Sequence, residues 1–281
     1  MHNTRLIDKY NRPGPRYTSY PTVPFWKNDP LDIEAWKGTI ARNLDFFHSS
    51  DISLYIHLPF CESLCTFCGC HKRITKNHAV EVPYMESLKK EWSLYKTILS
   101  HQTEIKELHF GGGTPTFFKP DNLIDLLQYL FEKEKVDPRF HELSFEAHPN
   151  NTTNEHLQKL YDFGFRRLSL GIQDYSPVVQ KAIHRFQTFE QVKHVQDSAR
   201  ELGYTSISHD LVFGLPKQTL DDIIDSVKKT LILSPDRISL YSYAHVPWIK
   251  GNGQRGFDES DLPDGEVKRK LSEVAKEMLE S

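Results

Sequence analysis

The stretch ISLYIHLPFCESLCTFCGC (residues 52–70) decides the fold class, because a β-strand pattern runs directly into a loop that carries four cysteines. The first seven residues are rich in β-branched, aliphatic and aromatic side chains, which favours an extended strand. Cys61, Cys65, Cys68 and Cys70 are the only cysteines in the chain. Loops at the carboxyl ends of strands carry catalytic groups in many α/β proteins, so this loop is a candidate site.

Five further segments repeat the strand pattern downstream, and helical patterns separate them. Strands are predicted at 52–58, 105–110, 142–147, 166–172, 206–213 and 237–243. Parallel strands need crossovers of this kind, and such crossovers are right-handed, so the alternation predicts an α/β fold with a parallel sheet. Periodicity alone leaves an open doubly wound sheet and an open or closed barrel as alternatives.

The helical patterns carry several signals for their ends. An amphipathic helix is predicted within 31–49, and another from Pro83. Asp121 has the residue type of an N-cap, and Thr152 with Glu155 has the pattern of a capping box.

Composition excludes several classes of protein. Of the 281 residues, 38% are hydrophobic and 26% are charged, and the net charge is -3. These values argue against a disordered chain, and the apolar runs are too short for a transmembrane helix. The charge balance predicts no nucleic-acid partner. Residues 1–22 have no apolar core of signal-peptide length, so a cytoplasmic, reducing location is expected.

The cysteine spacing is C-x3-C-x2-C, with one more cysteine two residues on. Three thiolates this close can bind three irons of a 4Fe-4S cube and leave the fourth iron open to another ligand. Cys61, Cys65 and Cys68 are therefore predicted to be the metal ligands. A zinc site, which favours two separated C-x2-C knuckles, and a redox pair of Cys65 and Cys68 are the alternatives. Cys70 is interpreted as a neighbour of the cluster, with ligation as the alternative.

Polar or glycine-rich residues lie towards or just after the carboxyl end of every predicted strand. After the cysteine loop come GGGTP (111–115), Glu146, Gln173, Asp210 and the segment 243–245. Because the carboxyl ends of parallel strands share one rim, these features are predicted to form one active site.

Three of these features have structural alternatives. The glycines allow a ligand to approach the backbone, and their N–H groups are expected to meet a carboxylate, with a tight turn as the alternative. Glu146, in an otherwise apolar strand, is expected either to face a cationic ligand or to pair with Arg166 or Arg167. Arg185 suits a carboxylate through bidentate hydrogen bonds, or is simply solvated.

Six motifs carry a family resemblance. GPRYTSYPT (14–22), LYIHLPFC (54–61), CTFCGC (65–70), GGGTP (111–115), GIQDY (171–175) and DLVFGLPKQT (210–219) resemble the oxygen-independent coproporphyrinogen III oxidases of the radical S-adenosylmethionine (SAM) superfamily. The resemblance implies a partial (β/α)6 radical SAM barrel with an N-terminal extension.

The resemblance also implies a reaction. This is the oxidative decarboxylation of coproporphyrinogen III propionates to vinyl groups, which gives protoporphyrinogen IX by the anaerobic route of haem biosynthesis. The implied cofactors are a 4Fe-4S cluster and SAM, the latter in two copies. A tetrapyrrole substrate, an electron donor such as flavodoxin or ferredoxin, and a monomeric protein without a membrane partner are also implied. A haem-binding, chaperone-like relative and another radical SAM reaction on a tetrapyrrole are the alternatives.

By resemblance, the SAM contacts are distributed over the cysteine loop and the strand ends. They fall on Tyr55, Phe67, Gly112, Gly113, Thr114, Glu146, Gln173, Arg185, Asp210 and Ala244. A substrate with several propionates would need a cation and an aromatic face, which Arg16 and Tyr17 could supply.

The resemblance divides the chain into an N-terminal arm and helix (1–50), a radical SAM core (51–250) and the start of a truncated C-terminal helical region (251–281). A chain truncated in this way is expected to keep the cluster site and to turn over poorly. After Glu146 the family has an acidic residue followed by Pro and Arg, whereas this chain has His148, Pro149 and Asn150. That departure is expected to alter the SAM pocket or the substrate.

Overall fold

The structure is a computed structural model, and it describes residues 9, 20, 25, 26, 30, 32–47, 51–99, 103–132, 136–246 and 253–281. Arg16 and Tyr17, the predicted substrate contacts, lie outside the described residues. In the described parts of the chain, no helix combines the length and apolar character that crossing a membrane requires.

The strands of the described residues are β1 (Asp51–Leu58), β2 (Phe60–Cys61), β3 (Arg73–Ile74), β4 (Glu104–Gly112), β5 (Glu142–Ala147), β6 (Arg167–Gln173), β7 (Ser206–Phe213) and β8 (Arg237–Ser242). Six of them form the central sheet in the order β1-β4-β5-β6-β7-β8, in which every neighbouring pair is parallel. The short strands β2 and β3 form a separate parallel pair that frames the cysteine loop. The predicted α/β class and its six main strands are therefore confirmed.

Helices lie between successive strands of the sheet, before the first strand and after the last. They are α1 (Ile33–Phe47), α2 (Glu81–Lys96), α3 (Pro120–Leu130), α4 (Asn154–Phe163), α5 (Pro177–Ala182), α6 (Phe189–Leu202), α7 (Leu220–Leu233) and α8 (Gly265–Glu280). Both predicted N-caps are wrong. Asp121 lies in the first turn of α3, whose N-cap is Lys119. The capping box of α4 is formed by Thr153 and His156, one residue later than predicted.

The central strands have two chemically different faces. Along β4, Leu108 and Phe110 are buried in the main hydrophobic core together with Leu127 of α3. His109 and Gly111 alternate with them and so point to the opposite face, since successive side chains of a strand project to opposite sides. The polar face is left to line the site.

A smaller apolar cluster supports the cysteine loop from beneath. Phe67 packs against the buried residues Val179, Ile183, Val212, Leu215 and Tyr243. The neighbouring residue, Thr66, donates its N–H to the carbonyl of Ile183 at 2.9 Å and its hydroxyl to the carbonyl of Ala182 at 3.0 Å. Helix α5, which the sequence patterns did not indicate, thus supports the cysteine loop through hydrogen bonds and apolar contacts.

Candidate active site

A cavity of about 280 Å³ lies at the carboxyl ends of the strands, as the sequence predicts. Its walls include eleven of the predicted ligand and SAM-contact residues: Cys61, Cys65, Phe67, Cys68, Gly112, Gly113, Thr114, Glu146, Gln173, Arg185 and Asp210. Residues from both ends of the sheet and from the middle therefore meet at one site.

Each of the three predicted ligand thiols receives a hydrogen bond. The hydroxyl of Thr114 donates to Cys61 Sγ at 3.4 Å. The Nη1 atom of Arg185 points to Cys65 Sγ at 3.7 Å. The backbone N–H of Cys70 donates to Cys68 Sγ at 3.4 Å. Donors of this kind stabilise thiolates and tune the clusters that thiolates bind.

Cys70 acts as a hydrogen-bond donor to Cys68. Besides its N–H, its thiol lies within hydrogen-bond reach of the Cys68 sulfur, and this contact lowers the pKa of Cys68 and raises that of Cys70. Burial, by contrast, raises the pKa of Cys61. The geometry therefore favours the thiolate form at Cys68 and the protonated form at Cys70.

The predicted ligand thiols fit an iron-sulfur cluster. In a 4Fe-4S cube, three thiolates from one loop can bind three different irons. Three donor-supported thiols on the wall of one cavity fit that group.

The N–H groups of Gly112, Gly113 and Thr114 are engaged within the protein, which corrects the expectation that they are free to meet the carboxylate of a ligand. The N–H of Gly113 donates to Leu58 O at 2.9 Å, and that of Thr114 to Phe60 O at 3.0 Å. A Cβ atom on Gly113 would lie 2.6 Å from Pro59 O. The backbone of this segment therefore packs closely against the backbone that follows β1, which supports the interpretation of the glycines as a tight turn. The segment still lines the cavity.

Glu146 is not buried, and neither predicted arginine pairs with it. Its side chain is 44% exposed and faces the cavity. One carboxylate oxygen lies 3.5 Å from His109 Nε2, and the other accepts the N–H of Gly112 at 3.3 Å. Arg167 pairs with Glu142 instead. The salt-bridge alternative is therefore wrong for Glu146, and much of the carboxylate stays available to a ligand.

Tyr55 borders Glu146 from the neighbouring part of the sheet. Its ring stacks on His109 with centroids 5.9 Å apart, and its hydroxyl lies 3.0 Å from His57 Nδ1. Burial, followed by the charge of Glu146, raises the pKa of Tyr55. Gly111 makes this approach possible, because a Cβ there would lie 2.7 Å from the tyrosine ring.

Arg185 is buried rather than solvated, with 9% of its surface exposed. It lies in the loop between α5 and α6, and its Nη2 atom donates to the carbonyl of Gly171. Gln173, beside it, has a φ of 70°, and the register of β6 against β7 shifts between Gly171 and Gln173. Such irregularities re-aim side chains at strand ends, and this one directs Gln173 into the cavity.

Asp210 of β7 completes the polar wall on the far side. It accepts a hydrogen bond from Ser169 Oγ at 3.1 Å. Burial raises its pKa, and the serine hydrogen bonds oppose that shift. Ala244 follows β8, and its carbonyl accepts a hydrogen bond from Gln254 at 2.7 Å. Ala244 does not line the cavity, and its carbonyl is joined through the Gln254 amide to that of Phe67.

Several residues of the cavity wall, His148 among them, are not predicted as contacts, and neither is Gln254, which lies outside that wall. His148 lines the cavity, and its Nδ1 accepts the N–H of Asn150 at 3.1 Å. Burial, and then the charge of Arg185, lowers the pKa of His148 to about 2, so its ring is neutral. Gln254 holds the loop after β8 to the cysteine loop. His148 was noticed only as a departure from the family, and no local pattern marks Gln254.

Comparison with known protein families identifies the superfamily to which the chain belongs. The family model of the radical SAM superfamily matches residues 55–230. The chain therefore belongs to the radical SAM superfamily, whose members use a 4Fe-4S cluster and SAM, and the prediction of these cofactors is confirmed at that level.

Within the superfamily, the chain is similar to the oxygen-independent coproporphyrinogen III oxidases, and the resemblance predicted from its motifs is confirmed. It is 42% identical to that protein of Helicobacter pylori strain J99 over 98% of the chain and 37% identical to that of Escherichia coli K12 over 94%. The chain spans 60% and 56% of the lengths of these relatives. The solved coproporphyrinogen III oxidase of Escherichia coli, titled a radical SAM enzyme, matches with a TM-score of 0.86 at 34% identity, covering 99% of this chain and 60% of that one.

Proposed function

We propose that the chain catalyses the radical SAM oxidative decarboxylation of coproporphyrinogen III propionates to vinyl groups, which yields protoporphyrinogen IX. The observation that carries this proposal is the cavity in which three donor-supported thiols face Glu146, Arg185 and Asp210. The relatives named above supply the choice of reaction within the superfamily.

In this proposal, Cys61, Cys65 and Cys68 hold the cluster, and Cys70 remains unligated. When bound, the cluster and SAM supply one-electron reduction and hydrogen-abstraction chemistry. Thr114, Arg185 and the N–H of Cys70 direct hydrogen bonds to the ligand sulfurs. These donors hold the thiolates in place and stabilise the added negative charge of a reduced cluster.

The remaining wall binds SAM. Glu146 accepts hydrogen bonds from the ligand or pairs with a positive charge on it. Tyr55 stacks on His109, which contacts Glu146, so these two rings restrict the conformations of the Glu146 side chain. Gly112, Gly113 and Thr114 give SAM close access to the backbone. A second SAM molecule is bound by Gln173, Arg185 and Asp210. The apolar parts of SAM pack against Phe67 and Ala244.

The substrate is a tetrapyrrole, and Arg16 and Tyr17 bind its propionates. A guanidinium recognises a carboxylate in bidentate fashion, and an aromatic ring covers a pyrrole face. We place the N-terminal arm and helix at 1–50, the radical SAM core at 51–250 and a C-terminal helical region at 251–281. A flavodoxin or ferredoxin supplies the electrons, and the protein works as a cytoplasmic monomer.

An anaerobic assay tests the reaction. The chain is reconstituted with iron and sulfide and then given SAM, dithionite and coproporphyrinogen III. Release of 5'-deoxyadenosine together with protoporphyrinogen IX is expected. SAM cleavage without decarboxylation would indicate a different radical SAM reaction, and haem binding without either product would indicate a haem-binding relative.

A further inference from the structure

Gln254 lies in the loop that follows β8, and 9% of its surface is exposed. Its side-chain amide bridges two points of that loop. The Nε2 atom donates to Ala244 O at 2.7 Å, and Oε1 accepts the N–H of Val246 at 2.6 Å. Both ends of the amide are used, so this glutamine fixes the path of the chain as it leaves the sheet.

The same side chain reaches the cysteine loop. Gln254 Nε2 also lies 3.3 Å from Phe67 O, a residue 187 positions earlier. The preceding residue, Gly253, donates its N–H to Cys68 O at 3.2 Å. A Cβ atom on Gly253 would lie 2.9 Å from Cys65 O, so a residue without a side chain is needed for this approach.

These contacts join two loops at opposite edges of the sheet. In the described residues, β1 and β8 are the two edges of the sheet, and no ladder hydrogen bonds join them. The loop after β1 carries the three proposed cluster ligands, and the loop after β8 carries Ala244. Gln254 therefore connects the two edges at the site, where the sheet itself does not.

An amide is the side chain that suits this position. It donates to two backbone carbonyls and accepts from one backbone N–H. A glutamate would keep the acceptor and lose the donors, and its charge would face two carbonyl oxygens. An alanine would leave the buried N–H of Val246 and the part-buried carbonyls of Ala244 and Phe67 without these partners, which is costly.

We propose that Gln254 is a positioning residue that sets the separation between the cysteine loop and the Ala244 loop, and so the shape of the SAM site. The inference rests on the proposed function in two respects: that the cysteine loop holds the cluster beside SAM, and that Ala244 contacts SAM. The bridge itself belongs to the chain and is present without cofactors.

Hydrogen exchange on the cofactor-free chain tests the bridge directly. In Gln254→Ala, amides in peptides covering 61–70 and 243–246 are expected to exchange about fivefold faster than in the wild type, because several hydrogen bonds that close the bridge are lost. Gln254→Glu, which retains the acceptor for Val246, is expected to accelerate exchange at 61–70 and less so at 243–246.

Gln196→Ala is the matched control. Gln196 is also a buried glutamine, 4% exposed, and its Nε2 atom donates to Leu233 O far from the cavity. This variant should leave exchange at 61–70 unchanged. Wild-type exchange rates in Gln254→Ala, or equal acceleration in Gln196→Ala, would overturn the proposal.

The loaded protein gives a second, spectroscopic test. SAM titrated into the reduced, reconstituted chain and followed by EPR is expected to bind about tenfold more weakly to Gln254→Ala and Gln254→Glu than to wild type or Gln196→Ala. Equal SAM affinity in all four proteins would overturn the link to the site. A wild type without any SAM response would count against the proposed function, and the exchange data would still decide the bridge.

Discussion

Arg185 Nη1 lies 3.7 Å from Cys65 Sγ, although 120 residues separate the two in sequence. The guanidinium is buried, and the carbonyl of Gly171 holds its other end. A fixed positive charge is thereby placed beside a proposed cluster ligand. Such a charge stabilises the more negative, reduced state of a cluster, because burial reduces screening by water.

Arg185→Met should therefore make the cluster harder to reduce. We expect its midpoint potential to fall by roughly 60 mV, which corresponds to about tenfold in a one-electron equilibrium. An EPR-monitored redox titration of the reconstituted protein measures this shift. Arg166→Met is the control, because Arg166 donates to Tyr161 O and Phe165 O away from the cavity. An unchanged potential in Arg185→Met would argue that the cluster binds elsewhere.

Cys70→Ala should retain the cluster. The backbone N–H that donates to Cys68 Sγ survives this substitution, and only the thiol contact is lost. Iron and acid-labile sulfide per chain should match the wild type, whereas Cys61→Ala, Cys65→Ala and Cys68→Ala should each lose most of the iron. Loss of iron from Cys70→Ala would make Cys70 a ligand.

Gly113→Ala should destabilise the chain and disturb the cysteine loop. Its methyl group would lie 2.6 Å from Pro59 O, and backbone must move to admit it. We expect a loss of about 2 kcal/mol in the free energy of unfolding, measured by denaturant titration of the cofactor-free chain.

Gly38→Ala is the control for that substitution. Gly38 lies within α1, and the nearest atom to its added methyl group is Arg42 Nη1 at 3.4 Å. Alanine favours a helix over glycine, so this variant should be neutral or stabilised by about 1 kcal/mol. Equal destabilisation of both variants would show that the close crossing at Gly113 has no special cost.

Asp174 should make stability depend on pH in a direction unusual for a carboxylate. The side chain is fully buried, and burial raises its pKa to about 6, although hydrogen bonds from Gln218 and Ser176 oppose the shift. The folded state therefore binds the proton more tightly than the unfolded state. Its contribution to stability is greatest below about pH 4 and is lost as the pH rises through about 6.

The measurement is the unfolding free energy of the wild type minus that of Asp174→Asn, taken at pH 5 and at pH 7. The difference should fall by about 1 kcal/mol over this interval, because asparagine does not titrate. Subtraction cancels the opposing effect of buried neutral histidines such as His209, which burial keeps uncharged. A difference that rises with pH would mean that Asp174 is stabilised as the anion.

The strands could be predicted from sequence because their signal is local. β5 and β7 were predicted at their observed bounds, and the other four strands of the main sheet within two residues at either end, since β-branched and aromatic runs are bounded by turn residues. Caps were less predictable. The capping box of α4 uses His156 as the third helical residue, and histidine is not among the residues that the usual capping-box pattern requires.

The sequence predicts which residues belong to the site, but not which atoms those residues contact. Motifs placed Gly113 at the rim, but only the fold shows that its N–H is taken by Leu58 O. The burial of Arg185 depends on the distant Gly171 and Cys65, so no window of sequence around it carries that signal. Gln254 was missed for the same reason, because its partner Phe67 lies across the open side of the sheet.

The central claim is that three cysteines hold a cluster with one iron open to SAM. The most direct measurement is the EPR spectrum of the dithionite-reduced, reconstituted chain with and without SAM, alongside its iron and sulfide content. About four irons per chain and a spectrum that changes on addition of SAM are predicted. A cluster spectrum that SAM leaves unchanged would contradict an open iron and, with it, the proposed chemistry of the site.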